Sequence, residues 1–217
     1  MIHMTGKEKM SKFLLKLAAA LAFITTASTA HANLLVNGSF EDDACAGSFC
    51  TVGSLTGWSL STNVDQINSL WTHADGTKSL DMNGNRGPAT VSQSFTTVVG
   101  QDYRVSFAMS GNIAGSPSTK TMDVSVAGML NSYSFINQGS FANMVWEDHS
   151  FIFTANAISS TLSLASTTSG CCWGPALDNV VVTRYDRPNG VPAPAPLALM
   201  GIALAGLGMA SRRQAKA

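Results

Sequence analysis

Positive charge is scarce in the central part of this 217-residue chain. Only six of the 13 lysines and arginines lie between residues 33 and 190, whereas that segment holds 12 of the 13 acidic residues. The segment therefore has a formal charge of −6, although the whole chain sums to zero. Nucleic acids and anionic lipid surfaces are bound by clustered lysines and arginines, so we expect neither as an electrostatic partner. Neutral ligands, or ligands bridged by a cation, fit this charge better.

The central segment also lacks the motifs of common hydrolases. It contains no G-x-S-x-G and no H-E-x-x-H sequence, and its two histidines, His73 and His149, stand outside any metal or nucleophile pattern. A carboxylate pair for glycoside hydrolysis is not excluded by sequence, because the two acids usually come from distant strands. The acidic side chains nevertheless sit in apparent turns or strand patterns: Asp75, Asp81, Glu147, Asp148, Asp178 and Asp186. We therefore predict a protein without catalytic residues.

No part of the central segment sustains a helical period, and no internal repeat is present. Residues instead alternate between apolar and small or polar types with a period of two, as in residues 103–109, 122–126 and 162–165. Further strands are predicted for LLVNGSF, KSLDMN, ATVSQSFTT, NSYSFIN, HSFIFTA and ALDNVVVTRY, with turn signals such as DG, NGN, GSP and NQG between segments. Many short strands without intervening helices predict an all-β fold, an antiparallel jelly-roll β-sandwich.

The N-terminal 32 residues have the layout of a secretory signal peptide. Four lysines precede or interrupt an apolar stretch from Phe13 to Ile24, and small residues follow up to an A-x-A cleavage site at residues 30–32. We therefore expect export, a mature chain that begins at Asn33 and a folded domain over residues 33–184. The Pro-rich residues 185–196 are predicted to be a semi-rigid linker.

A short hydrophobic helix is predicted in the tail, residues 197–217. Its apolar run covers only 14 residues, 197–210, before Arg212 and Arg213, whereas a spanning helix needs about 20. Its three glycines would allow close helix approach in a membrane, which suits a membrane-recognised segment better than a buried terminal helix. The candidates are a membrane anchor, a leftover part of the fold or a processing signal.

Four cysteines lie in the segment predicted to be exported: Cys45, Cys50, Cys171 and Cys172. Disulfides are the default state in an oxidising compartment, and three connectivities are possible. A four-thiolate zinc site is disfavoured because adjacent cysteines lack the usual C-x2-C reach. We favour at least one bridge from the Cys45/Cys50 loop to the Cys171/Cys172 loop, because a bridge between adjacent residues is strained. The sequence leaves the pairing open.

Two carboxylates stand beside apolar strand patterns, Glu41 in NLLVNGSFEDD and Asp178 in GPALDNVVV. A buried carboxylate needs a partner, because an unpaired buried charge costs several kcal/mol. One partner is a structural calcium ion, which takes oxygen ligands from carboxylates, amides and carbonyls. The alternative is that Asp178 accepts hydrogen bonds from backbone amides of a neighbouring loop and that Glu41 is solvated.

Aromatic side chains are the candidates for a sugar site, because the apolar face of a pyranose packs on an aromatic ring. Trp58 follows Gly57 at a probable strand start and is predicted to be core. Trp71 and Trp173 lie in apparent loops and are the platform candidates, with loop packing as the alternative, and Trp146 is undecided. Hydroxyl contacts could come from the NGNRG turn, which is otherwise a plain turn: Asn83, Asn85 and Arg86.

Six segments follow one another along the central part of the chain: NLLVNGSFE, the GW at residues 57–58, SLDMNG, VSQSFTTVVGQDYRVSFAMSGN, FTANAISSTLSLAS and GPALDNVVV. In this order they resemble the choice-of-anchor C family of exported bacterial domains, which is related to galactose-binding-like sandwiches. The resemblance covers residues 33–183. It implies a sandwich that binds sugars without cleaving them and a structural calcium near the first and last strands, at Glu41 and Asp178.

The tail is similar to a PEP-CTERM sorting signal, which combines a V-P-E-P motif, a short apolar helix and a basic cluster. The corresponding residues are Val191, Pro192, Pro194, Arg212 and Arg213, with Ala193 in place of the usual glutamate. This resemblance implies recognition by an exosortase in the inner membrane of a Gram-negative bacterium, followed by release to the cell surface or extracellular matrix. The tail is then a sorting signal.

Three functions follow as hypotheses. The first is an exported, non-catalytic module that binds extracellular polysaccharide. The second is a structural matrix or adhesion protein without a sugar pocket. The third, with the least support, is a polysaccharide-active hydrolase.

Overall fold

The computed structural model describes residues 31–187, and these residues form 15 strands and no helix. Residues 1–30 of the predicted signal peptide, most of the predicted linker and the whole predicted tail lie outside the described residues. Within residues 31–187, no helix is long and apolar enough to cross a membrane.

The larger sheet has six strands, numbered in chain order and paired antiparallel throughout. Their spatial order is β1 (Phe49–Val52), β3 (Val64–Ile67), β4 (Ser79–Asp81), β15 (Pro175–Arg184), β8 (Asp102–Gly111) and β13 (Glu147–Thr154). The longest strands, β8 and β15, pair in the middle of the sheet, and a register shift interrupts them between Asp178 and Val181. This sheet carries most of the polar groups discussed below.

The second sheet has five antiparallel strands. Their order is β10 (Met129–Ile136), β9 (Thr119–Val126), β14 (Ser159–Ser166), β7 (Thr90–Thr96) and β2 (Ser59–Leu60). Two short ribbons complete the described strands: β5 (Asn83–Gly84) with β6 (Gly87–Pro88), and β11 (Gly139–Ser140) with β12 (Asn143–Met144).

The main core lies between the two sheets. Every second residue of a strand points to the same face, so Val105, Phe107 and Met109 of β8 meet Leu162 and Leu164 of β14 in one buried cluster. The period-two pattern of the sequence is the cause of this arrangement, and the predicted all-β jelly-roll sandwich is confirmed. Trp58 is in this cluster and is 6% exposed, as predicted.

A smaller apolar cluster covers part of the outer face of the six-stranded sheet. It consists of Ile67, Trp71, Met144 and Ala176. Ala176 belongs to it while the next residue, Leu177, belongs to the main core, because neighbouring side chains of a strand point to opposite faces. The segments that precede β4 and β13 therefore bury part of the outer face of this sheet, through Trp71 and Met144.

One predicted strand is absent from the structure. Residues 34–43, which include LLVNGSF, form bends and turns. Asn37 and Phe40 have positive φ angles of 53° and 60°, which an extended strand does not allow. The Asn37 side chain also bonds locally, accepting from the backbone N–H of Asp42. Strands β1 and β3, in contrast, were not predicted.

Candidate functional site

Trp173 is the tryptophan that the sandwich presents to solvent, with 42% of its surface exposed. Its ring lies over Gly115, where an added Cβ atom would overlap the indole. The ring therefore rests on backbone, and any side chain at residue 115 would displace it. Trp173 follows Cys172, which has a positive φ angle of 76°. We call the three loops around it, residues 83–88, 112–118 and 167–174, the Trp173 end.

A buried lysine fixes the backbone of this tryptophan. Lys120 is 0% exposed, and its Nζ donates to the carbonyl oxygens of Trp173 at 2.6 Å and Gly115 at 2.9 Å. Burial lowers the pKa of Lys120, and the nearby charge of Asp81 opposes this change. The two carbonyl acceptors satisfy a group that would be costly to bury alone. Lys120 thus links the backbone of Gly115, which lies beneath the ring, to the backbone of Trp173.

A buried aspartate holds the residue after the tryptophan. Asp81 is 1% exposed, and its Oδ1 accepts from the backbone N–H groups of Gly174 at 2.8 Å and Asn83 at 2.9 Å. Its Oδ2 accepts from the amide of Asn112 at 2.7 Å. Gly174 must be glycine, because a Cβ atom would overlap Asp81 and Asn83. One carboxylate therefore ties three loops together.

Burial also changes the pKa of Asp81. Desolvation raises its pKa to about 7, against the opposing effect of its three hydrogen bonds. Asp65 lies opposite Asp81 in the register of β3 and β4, and its charge raises the pKa of Asp81 further. Desolvation also raises the pKa of Asp65, which accepts from the Thr51 hydroxyl at 2.6 Å.

The NGNRG turn lies beside the Trp173 loop, as the N–H of Cys172 donates to the carbonyl of Gly84 at 3.3 Å. Asn83 is buried, and its amide donates to the carbonyls of Thr168 and Gly170, so its role is structural. Asn85 and Arg86 are exposed. Of the three candidate residues in this turn, these two are the ones that can reach a ligand.

The two other candidate tryptophans lie elsewhere. Trp71 is 4% exposed, donates its indole N–H to Ser79 at 2.8 Å and packs on Phe141. It therefore does not offer the exposed platform that its loop position suggested. Trp146 is partly buried against the same outer-face cluster and donates its indole N–H to the carbonyl of Thr72 at 3.0 Å. His73 is likewise held by Ser79 and the carbonyl of Asn68.

Glu41 and Asp178, the residues predicted to hold calcium, both face hydrogen-bond donors of the protein in this structure. Glu41 accepts from Thr77 through both its N–H and its hydroxyl and from the N–H of Lys78, whose ammonium lies 3.6 Å from its Oε2. Asp178, which is 0% exposed, accepts from the N–H groups of residues 74, 75 and 179. Within residues 31–187, no group of three histidines, cysteines or acids could hold a metal.

The alternative for Asp178 matches the structure, because its carboxylate accepts backbone amides of a neighbouring loop. Burial raises the pKa of Asp178 to about 7. Glu41 is more than solvated: the hydrogen bonds from Thr77 and Lys78 outweigh desolvation and lower its pKa. Both carboxylates therefore fix the loop of residues 74–78.

The favoured disulfide pairing is wrong. Cys45 is bonded to Cys50, and Cys171 and Cys172 are free thiols. The reason is local, because residues 45–50 turn back on themselves and bring the two Cα atoms to 5.7 Å, within the usual range for a disulfide. The spacing of five residues was the only sequence signal for this bridge.

Two further depressions were not predicted. One, of about 350 Å³, is polar and lies along β8, β13 and β15, lined by Arg104, Ser106, Phe107, Asp148, His149, Ser150 and Asn179. The other, of about 610 Å³, is at the point where the described chain ends and includes Asp102, Tyr185 and Arg187. Arg104, which lines the first depression, packs over the ring of Tyr185, which lines the second, at 4.8 Å.

Known proteins similar to this chain are large or distant. Halomucin from Haloquadratum walsbyi is 29% identical in an alignment of 192 residues, which covers 83% of this chain but only 2% of the length of halomucin. A solved structure of TmCBM61 in complex with β-1,4-galactotriose is 16% identical, with a TM-score of 0.46 over 71% of this chain and 99% of that chain. An arabinose-bound MgGH51 α-L-arabinofuranosidase is also 16% identical, with a TM-score of 0.49 over 74% of this chain and 28% of that one.

At TM-scores below 0.5, these likenesses do not decide what the chain binds. The family model described as "Protein of unknown function (DUF642)" matches residues 33–183, which is most of the chain and nearly all of the sandwich. The choice-of-anchor C and PEP-CTERM resemblances remain predictions. The chain belongs to the DUF642 family.

Proposed function

We propose that this domain binds a neutral saccharide at the Trp173 end without cleaving it. The observation that carries the proposal is an exposed tryptophan whose backbone is fixed from below, by Lys120 and by the anchoring of Gly174 on Asp81. A sugar ring packs its apolar face on such a surface. Because the backbone of Trp173 is already ordered, binding avoids part of the entropy cost of ordering a loop.

The exposed residues beside the ring supply the polar contacts. Asn85 and Arg86 are held close to the Trp173 loop by the Cys172 to Gly84 hydrogen bond. Amide and guanidinium groups donate to hydroxyl oxygens. The net negative charge of the domain favours a neutral polysaccharide over an anionic one.

The buried carboxylates support binding rather than hydrolysis. A pKa of about 7, which burial gives both Asp81 and Asp178, would suit a general acid. Each carboxylate, however, is almost fully buried and already accepts hydrogen bonds from three donors. In the proposed function, both carboxylates therefore hold loops in place and are not catalytic acids.

Export and sorting complete the proposal. The signal peptide directs export, and an exosortase processes the tail at the inner membrane and releases the domain to the cell surface or extracellular matrix. Support comes from the sequence patterns of both ends and from the Cys45–Cys50 disulfide, since disulfides persist in oxidising compartments.

A second candidate, a matrix or adhesion protein, is favoured by one surface. Two adjacent turns present Val98, Val99 and Ile158 with 61%, 60% and 78% of their surfaces exposed. The turns are joined by a hydrogen bond from the N–H of Thr97 to the carbonyl of Ile158. Exposed apolar clusters mark contacts with other molecules, and such contacts would not need the Trp173 end.

Affinity gel electrophoresis tests the proposal with soluble galactan, β-glucan and mannan as probes. We expect at least one of them to retard the purified domain. Trp173→Ala should weaken this binding at least about tenfold, which corresponds to about 1.4 kcal/mol. Phe49→Ala is the matched control, because Phe49 is 47% exposed on the edge strand β1, and it should bind like the unmodified domain.

The outcomes separate the candidates. Equal retardation of the Trp173→Ala and unmodified domains would exclude the Trp173 end as the site. Self-association that is lost on Val99→Asp, with no retardation by any polysaccharide, would favour the matrix protein. Release of reducing sugar ends from a probe would show a hydrolase.

A further inference from the structure

Within the chain, the two free cysteines can form a disulfide only with each other. The sequence has four cysteines, and Cys45 is bonded to Cys50. Cys171 and Cys172 are adjacent in the chain, and both are free thiols. Cys171 is exposed and Cys172 is partly buried. A reagent can therefore reach one sulfur directly and the second through the first.

The backbone around these cysteines belongs to the Trp173 end. The N–H of Cys172 donates to Gly84, and its carbonyl accepts from the amide of Asn112 at 3.3 Å. The N–H of Trp173 donates to the carbonyl of Cys171 at 3.0 Å. A covalent bond between the two sulfurs would close a small ring that contains the Cys171–Cys172 peptide, whose N–H and carbonyl make two of these hydrogen bonds, and would strain both.

We propose that Cys171 and Cys172 form a reversible vicinal disulfide by exchange with a protein or small-molecule disulfide. We further propose that this bond changes the environment of the Trp173 indole. The second half of the proposal rests on the proposed function, because it concerns the same tryptophan. The first half, formation of the bond, is independent of any saccharide.

The exchange needs no further reagent. The Cys171 thiolate attacks one sulfur of the oxidant disulfide, forming a mixed disulfide and releasing one thiolate, which takes up the proton lost by Cys171. The Cys172 thiolate then attacks the Cys171 sulfur and displaces the second thiolate, which takes up the proton of Cys172. The two cysteines lose two electrons and two protons, and the oxidant disulfide is reduced to two thiols.

The bond should be easy to reverse. Adjacent Cα atoms across a trans peptide are about 3.8 Å apart, closer than the roughly 4.4–6.8 Å of most disulfides. A strained or exposed disulfide has a higher reduction potential than a structural one and is readily reduced. Cys45–Cys50, with its ordinary Cα separation of 5.7 Å, serves as the structural bridge of the same domain.

The ring-closing step should depend on pH. The neighbouring Cys171 thiol, together with burial, raises the pKa of the Cys172 thiol to about 11 in the reduced pair. In the mixed disulfide Cys171 is no longer a thiol, so its contribution to this pKa is lost. The rate of ring closure should still rise with pH, because the attacking group is the Cys172 thiolate.

Mass spectrometry of the purified protein tests the bond, with oxidised glutathione as the probe. The reduced 171–172 pair is incubated with the probe, and the remaining thiols are alkylated under denaturing conditions. We expect a peptide with residues 171 and 172 that lacks two hydrogen atoms and carries neither glutathione nor alkyl groups. Cys172→Ser should stop at a glutathione adduct on Cys171, and Cys171→Ser should react more slowly.

Three results would overturn this chemistry: two alkylated thiols after oxidation, a glutathione adduct that persists in the unmodified sequence, or dimers joined through Cys171. The effect on Trp173 is measured separately, from its indole N–H resonance, identified by its loss in Trp173→Phe. We expect this resonance to shift on oxidation of the unmodified protein and to stay in place in Cys171→Ser/Cys172→Ser. An unchanged resonance in the oxidised protein would refute the coupling.

The polysaccharide probes then separate the two proposals. If an oxidised domain binds a galactan, β-glucan or mannan with an affinity at least about threefold different from the reduced domain, the coupling reaches the ligand. If neither form binds any probe, the proposed function fails, whereas formation of the disulfide is still decided by the masses.

Discussion

Two loop regions of this sandwich are each held by a buried carboxylate, but the tryptophan of one is exposed and that of the other is buried. Around Trp173, the buried carboxylate of Asp81 accepts two backbone N–H groups and one side-chain amide. Around Trp71, the buried carboxylate of Asp178 accepts three backbone N–H groups. Yet Trp173 is 42% exposed and Trp71 only 4%.

The difference comes from what faces each indole. Trp173 lies over the backbone of Gly115, and among residues 31–187 no second layer buries its outer face. Trp71 is enclosed by Phe141 and by a hydrogen bond to Ser79 within the outer-face cluster. A rigid loop is therefore common to both regions, and only one of them leaves an aromatic surface for a ligand.

The largest expected effect compares the two tryptophans directly. Trp71→Ala should lower the free energy of unfolding by about 3–5 kcal/mol, because it empties a buried site. Trp173→Ala should lower it by less than about 1 kcal/mol, because solvent already contacts much of the ring. Urea unfolding followed by circular dichroism measures both. An equal loss of unfolding free energy in the two variants would contradict the distinction between a buried Trp71 and an exposed Trp173.

The second comparison concerns the two carboxylates. Asp81→Ala and Asp178→Ala should each cost about 2–3 kcal/mol of folding free energy, because each leaves buried donors without an acceptor. Asp81→Ala should also weaken saccharide binding, since it frees Gly174, whereas Asp178→Ala should leave binding unchanged. Asp42→Ala, at an exposed aspartate, is the control and should have little effect. Loss of binding in Asp178→Ala would mean that the two regions are coupled.

The third prediction uses the titration of these carboxylates. Burial raises the pKa of both to about 7 in the folded protein, above the unfolded value of about 3.9. The folded state therefore binds more protons than the unfolded state between these values, and the free energy of unfolding falls as pH rises from about 4 to about 7.

The size should be on the order of 4 kcal/mol for each carboxylate, because the two pKa values differ by about three units, and it is measured as unfolding free energy at a series of pH values. Asp178→Asn removes one titrating group and should flatten the pH dependence. A stability that rises steadily from pH 5 to pH 8 would show that the hydrogen bonds outweigh burial and that both carboxylates are ionised.

The smallest expected effect is that of calcium. Glu41 and Asp178 face N–H donors and the Lys78 ammonium, so added calcium should shift the Tm by less than about 1 °C relative to a chelator-treated sample. Differential scanning fluorimetry of the unmodified protein measures this. A calcium-dependent increase that is lost in Glu41→Gln would restore the cation site at these residues.

Much of the sandwich could be predicted from the sequence, because alternation along strands such as β8, β9 and β14 directly reports which face is buried. The N-terminal segment was mispredicted, since the left-handed conformations of Asn37 and Phe40 break an apolar run that looks extended. One sign of the Trp173 end was available: Lys120 occupies an inward position in the alternating pattern of β9, where a lysine needs acceptors.

The sequence by itself determined the all-β class, the two-layer core and the acidic charge of the domain, because these depend on composition and on a period of two. The tertiary structure decided which tryptophan is exposed, which carboxylates are buried and which cysteines meet. Trp71 and Trp173 look alike in sequence, as both lie in loops. Only the folding of distant segments onto them, residue 141 against one and residue 115 beneath the other, gives them different surroundings.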